Sequence, residues 1–353
     1  MSDTVLVTGA FGLVGSATVR KLHADGRRVV ATDLDIPDNR TAAAALPAGV
    51  EVRWADLTDP HAARALVDAA APAAIIHLAA IIPPFCYDRP ALARRVSVDA
   101  TGYLIAAAAA QDAPPRFVQA SSVAVYGARN PYRCTDVLTA DTPMRPTDLY
   151  GTHKADAELL VRESGLDWVV LRLGGVLTTD ITLGIKPEFL FFASALPTDG
   201  RLQTVDVRDV AAAFVAATTA DCVGEILLIG GDDATHRLRQ GEVGEATAAA
   251  MGLVGVIPAG RRGNPNSDSD WFATDWMDTA RAQEVLDFQR ISWPDLLAET
   301  TAKAGWKRHL FRIISPVAAL FMRTQSAYRD DQGQYADLWG AIRSKWGEPG
   351  PDR

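Results

Sequence analysis

Thr8-Gly9-Ala10-Phe11-Gly12-Leu13-Val14-Gly15 is the stretch on which the reading of this chain turns. It follows a β-branched run at 4–8 and opens a helical stretch at 13–25, which Gly26 closes. A strand that turns on glycines into a helix lets its backbone approach a diphosphate closely. The amides of the first helical turn have no intrahelical partners, and the positive end of the helix dipole faces the same charge. Glycine-rich strand–helix turns also occur in α/β proteins that bind no such group. Here one extra residue separates the first two glycines of the usual G-x-G-x-x-G. The segment alone is therefore a weak sign, and its neighbours have to decide.

Asp33 ends a second strand-like run, 28–33, about 20 residues beyond the glycines, where an acid accepts hydrogen bonds from an adenosine ribose. Asp35 and Asp38 read as solvated turn residues. Asp56-Leu57, after the run 50–54, is placed to flank an adenine ring or, equally well, only to lead into a helix behind Asp59-Pro60. Further strands are expected at 74–78, 117–121 and 168–173, with helices between them, notably 91–111 and 148–163. This alternation predicts right-handed crossovers and a parallel sheet covered on both faces, an α/β Rossmann-type doubly wound fold. The alanine-rich helices (Ala106 to Ala110 is unbroken) read as close-packing elements.

After Leu173 the rhythm breaks at Gly174-Gly175. It resumes with a strand at 202–207, a helix at 210–219 and a strand at 225–229, and from Gly230 the chain reads as loopier, with a turn-rich segment at 261–266. Six of the eight tryptophans lie beyond Asp270, which suggests a separate packing unit there. The expected organisation is a dinucleotide-type domain at 1–173, rejoined by 201–230, and a smaller C-terminal substrate lobe made of 174–200 and 231–353. No internal repeat of solenoid length is present.

A chain of 353 residues, 48% apolar and 22% charged, can bury a large core, which disfavours disorder. The net charge of −8 argues against a nucleic-acid partner bound through a broad basic surface. Cys86, Cys134 and Cys222 show no CxxC spacing, so neither a disulfide scaffold nor a zinc ribbon is expected, and no metal site is expected either. Met1-Ser2-Asp3 runs into the first strand with no secretory pattern, and the apolar stretch 313–322 is interrupted by Ser315-Pro316 and too short to span a bilayer. A cytoplasmic protein is expected. Lys303, Lys307, Arg308, His309 and Arg312 flank that stretch, and a solvated helix face is preferred for them over membrane-surface contact.

Tyr150-Gly151-Thr152-His153-Lys154 opens a helix and puts Tyr150 and Lys154 one turn apart on one face. A nearby ammonium favours the phenolate and lowers the tyrosine pKa, which lets a tyrosine exchange a proton near neutral pH. Upstream, Ala120-Ser121-Ser122-Val123-Ala124-Val125-Tyr126-Gly127 presents hydroxyls at the C-terminal end of a strand, where open α/β sheets bind ligands. His77 and His153 read as structural.

In this order the pieces TGAFGLVG, Asp33, Asp56-Leu57, His77-Leu78-Ala79-Ala80, SSVAVYG, YGTHK, Leu171-Arg172 and, more weakly, VDVRDVAAA resemble the extended short-chain dehydrogenase/reductase family, the NAD-dependent epimerase/dehydratase group, over roughly residues 4–230. The resemblance implies NAD as cofactor and a small-molecule substrate. It implies Tyr150 as acid/base, Lys154 on the nicotinamide ribose, and Ser122, less so Ser121, on the substrate oxygen. Gly9, Gly12 and Gly15 would line the pyrophosphate, Phe11, Leu13 and Val14 would also bind the cofactor, and Asp33, Asp56 and Leu57 would meet the adenosine. Leu78, Ala79, Ala80, Asp99, Ala120, Leu173, Gly174 and Val176 would complete the cofactor set. A homodimer paired through 91–111 and 148–163 also follows from the resemblance.

Two positions depart from the pattern. Asp99 stands where the family often has asparagine, and an ionised aspartate accepts hydrogen bonds but donates none. Gly175 stands where sugar-nucleotide members commonly carry asparagine. The expectation is an NAD-dependent oxidoreductase, preferring NAD to NADP because of Asp33. A nucleotide-sugar epimerase or dehydratase is the alternative, and a non-catalytic NAD sensor the minor one. Gly175, the apolar loop Ile81-Ile82-Pro83-Pro84-Phe85 and the aromatic residues Trp271, Phe272, Trp276, Trp306 and Phe311 point to a lipophilic, steroid-like substrate. Arg201, Arg208, Arg261 and Arg262 remain the candidates to grip phosphates instead.

Overall fold

The computed structural model describes residues 3–180, 186–329 and 333–350. Met1-Ser2 and positions 181–185, 330–332 and 351–353 of the expected lobe lie outside the described residues.

The strands are β1 (Thr4–Thr8), β2 (Arg28–Asp33), β3 (Glu51–Trp54), β4 (Ala74–His77), β5 (Arg116–Ser122), β6 (Trp168–Leu173), β7 (Gly175–Leu177), β8 (Arg201–Asp206), β9 (Ile226–Ile229) and β10 (Arg237–Arg239). The helices of the first half are α1 (Leu13–Ala24), α2 (Pro37–Ala44), α3 (Pro60–Ala70), α4 (Phe85–Asp88), α5 (Pro90–Arg94), α6 (Ala100–Ala109) and α7 (Leu149–Arg162). The rest are α8 (Pro187–Ala195), α9 (Val207–Ala217), α10 (Gln240–Ala250), α11 (Ala280–Leu286), α12 (Trp293–Ala304), α13 (Lys307–Thr324) and α14 (Leu338–Trp346).

Seven parallel strands form one sheet in the order β3-β2-β1-β4-β5-β6-β9. Successive residues of a strand point to opposite faces, so one strand feeds two cores. Val5 and Val7 of β1 join Val19 and Leu22 of α1 and Val210 and Phe214 of α9, whereas Leu6 joins Leu66 and Val67 of α3 and Leu104 of α6. Burial on both faces explains why β1 reads as a continuous apolar run rather than an alternating one. The chain runs outward from β1 through β2 to β3, then returns to place β4 on the other flank of β1. That reversal leaves a crevice beyond the C-terminal ends of β1 and β4.

Three sequence expectations change. The helix expected at 91–111 is interrupted: Arg95–Asp99 form a π-helical turn in which the Ala100 amide reaches back to the Arg95 carbonyl. No glycine or proline marks this break, so the pattern could not show it. The helix expected at 210–219 begins at Val207, because the Asp206 carboxylate caps it by accepting the Arg208 amide at 2.8 Å. Beyond Gly230 the chain is not chiefly loop: it contributes β10 and α10–α14. β8 pairs with β7 and β10 in a separate three-stranded sheet, while α9 and β9 return to the main domain. Among the described residues, no helix is long and apolar enough to cross a membrane.

Candidate active site

A cleft follows the C-terminal ends of β1, β4, β5 and β6 and divides into two arms. One, of about 280 Å³, is walled by Asp33, Ala55, Asp56, Leu57, Thr58 and Ala79. The other, of about 520 Å³, contains Ser122 and Tyr150. Gly9, Gly12, Leu78 and Ala80 border both, so the glycine turn sits at the junction.

The three glycines do different jobs. Gly9 has φ +62°, and a Cβ there would meet the Ala79 amide nitrogen at 2.8 Å. A Cβ on Gly15 would lie 2.1 Å from the Gly9 carbonyl oxygen, so Gly15 lets α1 pack onto the turn. Gly12 needs neither exemption: its φ is −69°, and an added Cβ would meet only the Gly9 oxygen, at 3.5 Å. Its missing side chain instead keeps the cleft wall open. There α1 starts with no side-chain cap and no acid in its first turn, a surface suited to a diphosphate. Leu13, Val14 and Gly15 line the larger arm. Phe11 lines neither: its ring packs against Trp54 at 5.2 Å, and its amide donates to Asp33 at 3.4 Å.

Asp33 is fixed at the end of β2 by the amides of Leu34 (2.8 Å) and Phe11 (3.4 Å), although burial holds its carboxyl above the usual carboxylate range. Asp56 borders the small arm, and its Oδ1 accepts the Thr58 amide and hydroxyl at 2.9 and 2.7 Å. The cap of α3 is Asp59, which accepts the His61 amide. His77 is structural. Its Nδ1 and Nε2 meet the hydroxyls of Thr8 (2.7 Å) and Thr101 (3.0 Å), and burial, aided by the Lys154 charge, pushes its pKa down to about 3.

Ser122 ends β5 and Tyr150 lies in the first turn of α7, with Lys154 one turn on. Asp148 starts α7 by accepting the Gly151 amide at 3.0 Å, and is itself gripped by the Tyr87 hydroxyl at 2.5 Å. Gly151 lets the helix close on the Ala124 carbonyl, where a Cβ would sit 2.5 Å away. That approach brings the Tyr150 hydroxyl into a hydrogen bond with Ser122. Ser121 is committed elsewhere: its hydroxyl donates to Glu158, which pairs with Arg172 at 2.6 Å, both essentially buried. Arg172 in turn donates to the Tyr126 hydroxyl at 2.7 Å.

The expected lowering of the Tyr150 pKa by Lys154 does not dominate. Burial pushes the phenol up, the nearby Cys86 and Asp148 add to this, and only the Ser122 bond opposes it. The Lys154 ammonium, 4% exposed, donates to the Ala120 carbonyl at 2.8 Å and stands 5.9 Å from the Tyr150 ring centre. Burial lowers its pKa to about 8, against a raising effect of Glu158.

Leu173, Gly174 and Val176 line the larger arm. Ala120 contributes only its carbonyl to Lys154, and Asp99, ending the π-helical turn, borders neither arm. Gly175 also borders the larger arm, and a Cβ there would meet Leu202 at 2.9 Å, so asparagine would not fit without moving that side chain. Of the five aromatic residues expected near the substrate, only Phe272 reaches the arm. Trp271 is core, Trp276 is stacked by Arg201 at 4.8 Å, Trp306 is exposed, and Phe311 lies on α13. Phe189, Phe192, Leu196, Gln240 and Thr274 line the arm without having been legible in the sequence, because α8, the start of α10 and a late loop converge there only in three dimensions. No arginine is among its described lining residues: Arg201 binds Asp275, Arg208 binds Asp206 and Glu299, Arg261 stacks on Tyr328, and Arg262 faces Asp199.

The sequence model of the NAD dependent epimerase/dehydratase family matches residues 5–178, the span that carries the glycine turn, Ser122, Tyr150 and Lys154. The D-erythronate dehydrogenase of Cupriavidus necator is 28% identical over 307 residues, 82% of this chain and 90% of that one. UDP-glucose 4-epimerase 4 of Oryza sativa subsp. japonica is 30% identical over 183 residues, 49% of this chain and 48% of that one. The structure of the UDP-glucose 4-epimerase of Thermus thermophilus in complex with NAD superposes with a TM-score of 0.68 at 22% identity, covering 85% of this chain and 98% of that one, which is a likeness of fold. The order of the motifs, the cleft at the β1–β4 reversal and these matches agree: the chain belongs to the NAD-dependent epimerase/dehydratase family.

Proposed function

We propose that this chain is an NAD-dependent dehydrogenase/reductase of an apolar secondary alcohol or ketone, with Tyr150 as acid/base. The first turn of α1 and Gly12 would hold the pyrophosphate, Asp33 the adenosine ribose and Lys154 the nicotinamide ribose. When bound, NAD would accept the hydride in the oxidising direction and, in its reduced form, give it back in the reducing direction. Ser122 and the Tyr150 hydroxyl would hold the substrate oxygen between them. In the reducing direction Tyr150 gives its proton to the developing alkoxide, and in the oxidising direction it takes the hydroxyl proton. A phenol held above its usual range is protonated at neutral pH, so the resting site is set to donate.

The observation that carries the substrate class is the lining of the larger arm. Ile82, Pro83, Phe189, Phe192, Leu196 and Phe272 dominate it, and no charged side chain is among its described lining residues. D-erythronate carries a carboxylate and UDP-glucose a diphosphate, and an anion moved into such a wall would stay unpaired at high cost. An epimerase acting on a nucleotide sugar is the second reading, favoured by the matches to UDP-glucose 4-epimerases. Residues 1–173 with α9 and β9 would serve the cofactor, and the remaining lobe the substrate. A homodimer through α7 is supported by Leu159 and Leu160, exposed on that helix, and a reducing cytoplasm suits the three free cysteines.

The test is thermal stability and turnover with NAD on a panel that sets hydroxysteroids and aliphatic or aromatic secondary alcohols against D-erythronate and UDP-glucose. Stabilisation and conversion by the apolar alcohols are expected. Conversion confined to the sugar acid or the nucleotide sugar would reject the apolar reading.

A further inference from the structure

The C-terminal lobe carries a surface that the catalytic reading leaves unused. On and just before α13, Trp306, Leu310, Ile313, Ile314, Val317, Leu320 and Phe321 are exposed, Ile313 at 76% and Val317 at 73%. At the helical angle these seven positions fall within roughly a third of the circumference. Exposed apolar side chains are ordinarily scattered, and a continuous strip of this kind marks a binding face. The helix is held from its other side. Ser315 donates to the Gly252 carbonyl at 3.4 Å, and Gly252 admits the Arg308 backbone, which a Cβ would meet at 2.4 Å. The strip is therefore aimed outward by packing.

Charge identifies what the strip meets. Residues 300–329 hold two lysines, four arginines and no acid, in a chain whose net charge is −8. Lys303 is paired with Glu299 at 2.8 Å, but Lys307, Arg308, Arg312 and Arg323, all exposed, have no acidic partner among the described residues. At the same angle Lys307 flanks the strip on one side and Arg312 and Arg323 on the other, while Arg308 lies on the held side; a solvated face explains these cations but not the apolar strip. A second copy of the chain is a poor fit, because a two-fold interface would bring this cationic helix against itself. An anionic bilayer supplies both complements, acyl chains for the strip and headgroup charge for basic side chains whose stems reach along the helix.

We propose that α13 docks this protein on the surface of an anionic lipid bilayer, lying in the interface without crossing it. The docking does not rest on the apolar-substrate reading, although the two are neighbours. A groove of about 630 Å³, whose lining includes Leu190, Ala193, Met251, Ile257 and Met322 of α13, shares Leu196 and Gln240 with the substrate arm.

The full chain is mixed with vesicles of phosphatidylcholine alone and of phosphatidylcholine with roughly one-third phosphatidylglycerol, and co-sedimentation and tryptophan emission are followed. Binding to the anionic vesicles at least tenfold above the neutral ones is expected, and it should weaken in high salt. Ile313→Asp with Val317→Asp should abolish it while the thermal midpoint and its rise with NAD stay unchanged. Arg312→Gln should weaken it about fivefold. Equal binding to neutral vesicles, no binding at all, or binding indifferent to the two aspartates would overturn the proposal. So would a solution dimer that the aspartates convert to monomer in a chain that ignores vesicles.

Discussion

The two arms of the cleft are built in opposite ways. The smaller arm is assembled from successive strand–helix turns, each wall standing at or just after the end of its own strand: the glycine turn after β1, Asp33 ending β2, Asp56 after β3, Leu78-Ala79 after β4. The larger arm takes Ser122 and Tyr150 from the same framework, then closes over them with Phe189 and Phe192 of α8, Gln240 of α10 and Phe272 of a late loop. The first arm is fixed by local chemistry that any substrate must accept. The second is where one member of the family can differ from another.

The largest effect should come from the residue both arms serve. Tyr150→Phe keeps the ring and removes the exchangeable proton, so turnover should fall by about 10²–10⁴ while NAD affinity changes little. Titration calorimetry and steady-state kinetics together test this, and near-normal turnover would remove Tyr150 from its role. Lys154→Met should weaken NAD and lower turnover with it, if Lys154 holds the nicotinamide ribose as proposed. It should also alter stability in alkali. The Lys154 pKa is about 8 when folded against 10.5 for an exposed lysine. Below pH 8 both states hold the proton. Between about 8 and 10.5 the unfolded state binds more, so folding stability gains about 3 kcal/mol as pH rises, a gain fully present above 10.5 and lost as pH falls through 8. Denaturant titrations of the methionine variant should lack that slope.

Two further substitutions separate the glycines. Gly15→Ala forces a Cβ against the Gly9 oxygen and should lower the thermal midpoint with or without ligand. Gly12→Ala should leave the midpoint alone and weaken NAD, because its Cβ enters only the space meant for the diphosphate. A Gly12→Ala protein with unchanged NAD affinity would break the assignment of that wall. The smallest effect concerns cofactor choice. Asp33 should make NAD bind tighter than NADP by about tenfold, because solvent and salt reduce the repulsion of a 2′-phosphate to ~1 kcal/mol or slightly more. Calorimetry with both cofactors decides it.

The legibility of the sequence follows the same division. Glycine spacing, Asp33, and Tyr150 with Lys154 are short-range patterns, and they lead to the sheet and to one side of the cleft. The π-helical turn at Arg95–Asp99 stays hidden because nothing in its composition breaks a helix, and it leaves Asp99 off the cleft walls. Phe272 can be suspected only as one aromatic residue among several. Trp271 beside it is consumed by packing against Gly263, whose Cβ would lie 2.4 Å from its ring. The sign of the Tyr150 shift escapes the sequence for a related reason. A sequence shows a lysine one turn away, but not that its ammonium is spent on the Ala120 carbonyl while burial acts on the phenol.

The central claim is that the end of the larger arm away from the glycine turn, walled by Ile82, Phe189, Phe192 and Phe272, accepts apolar groups and refuses anions. It is tested most directly by kcat/KM, at saturating NAD, for a matched pair of substrates: an apolar secondary alcohol that the enzyme turns over, and the same alcohol carrying a carboxylate remote from the reacting carbon. An unpaired buried anion costs several kcal/mol, so the charged partner should be poorer by about a hundredfold or more. Equal or better turnover of the carboxylate would contradict the account and return the site to the sugar acids and nucleotide sugars of its relatives.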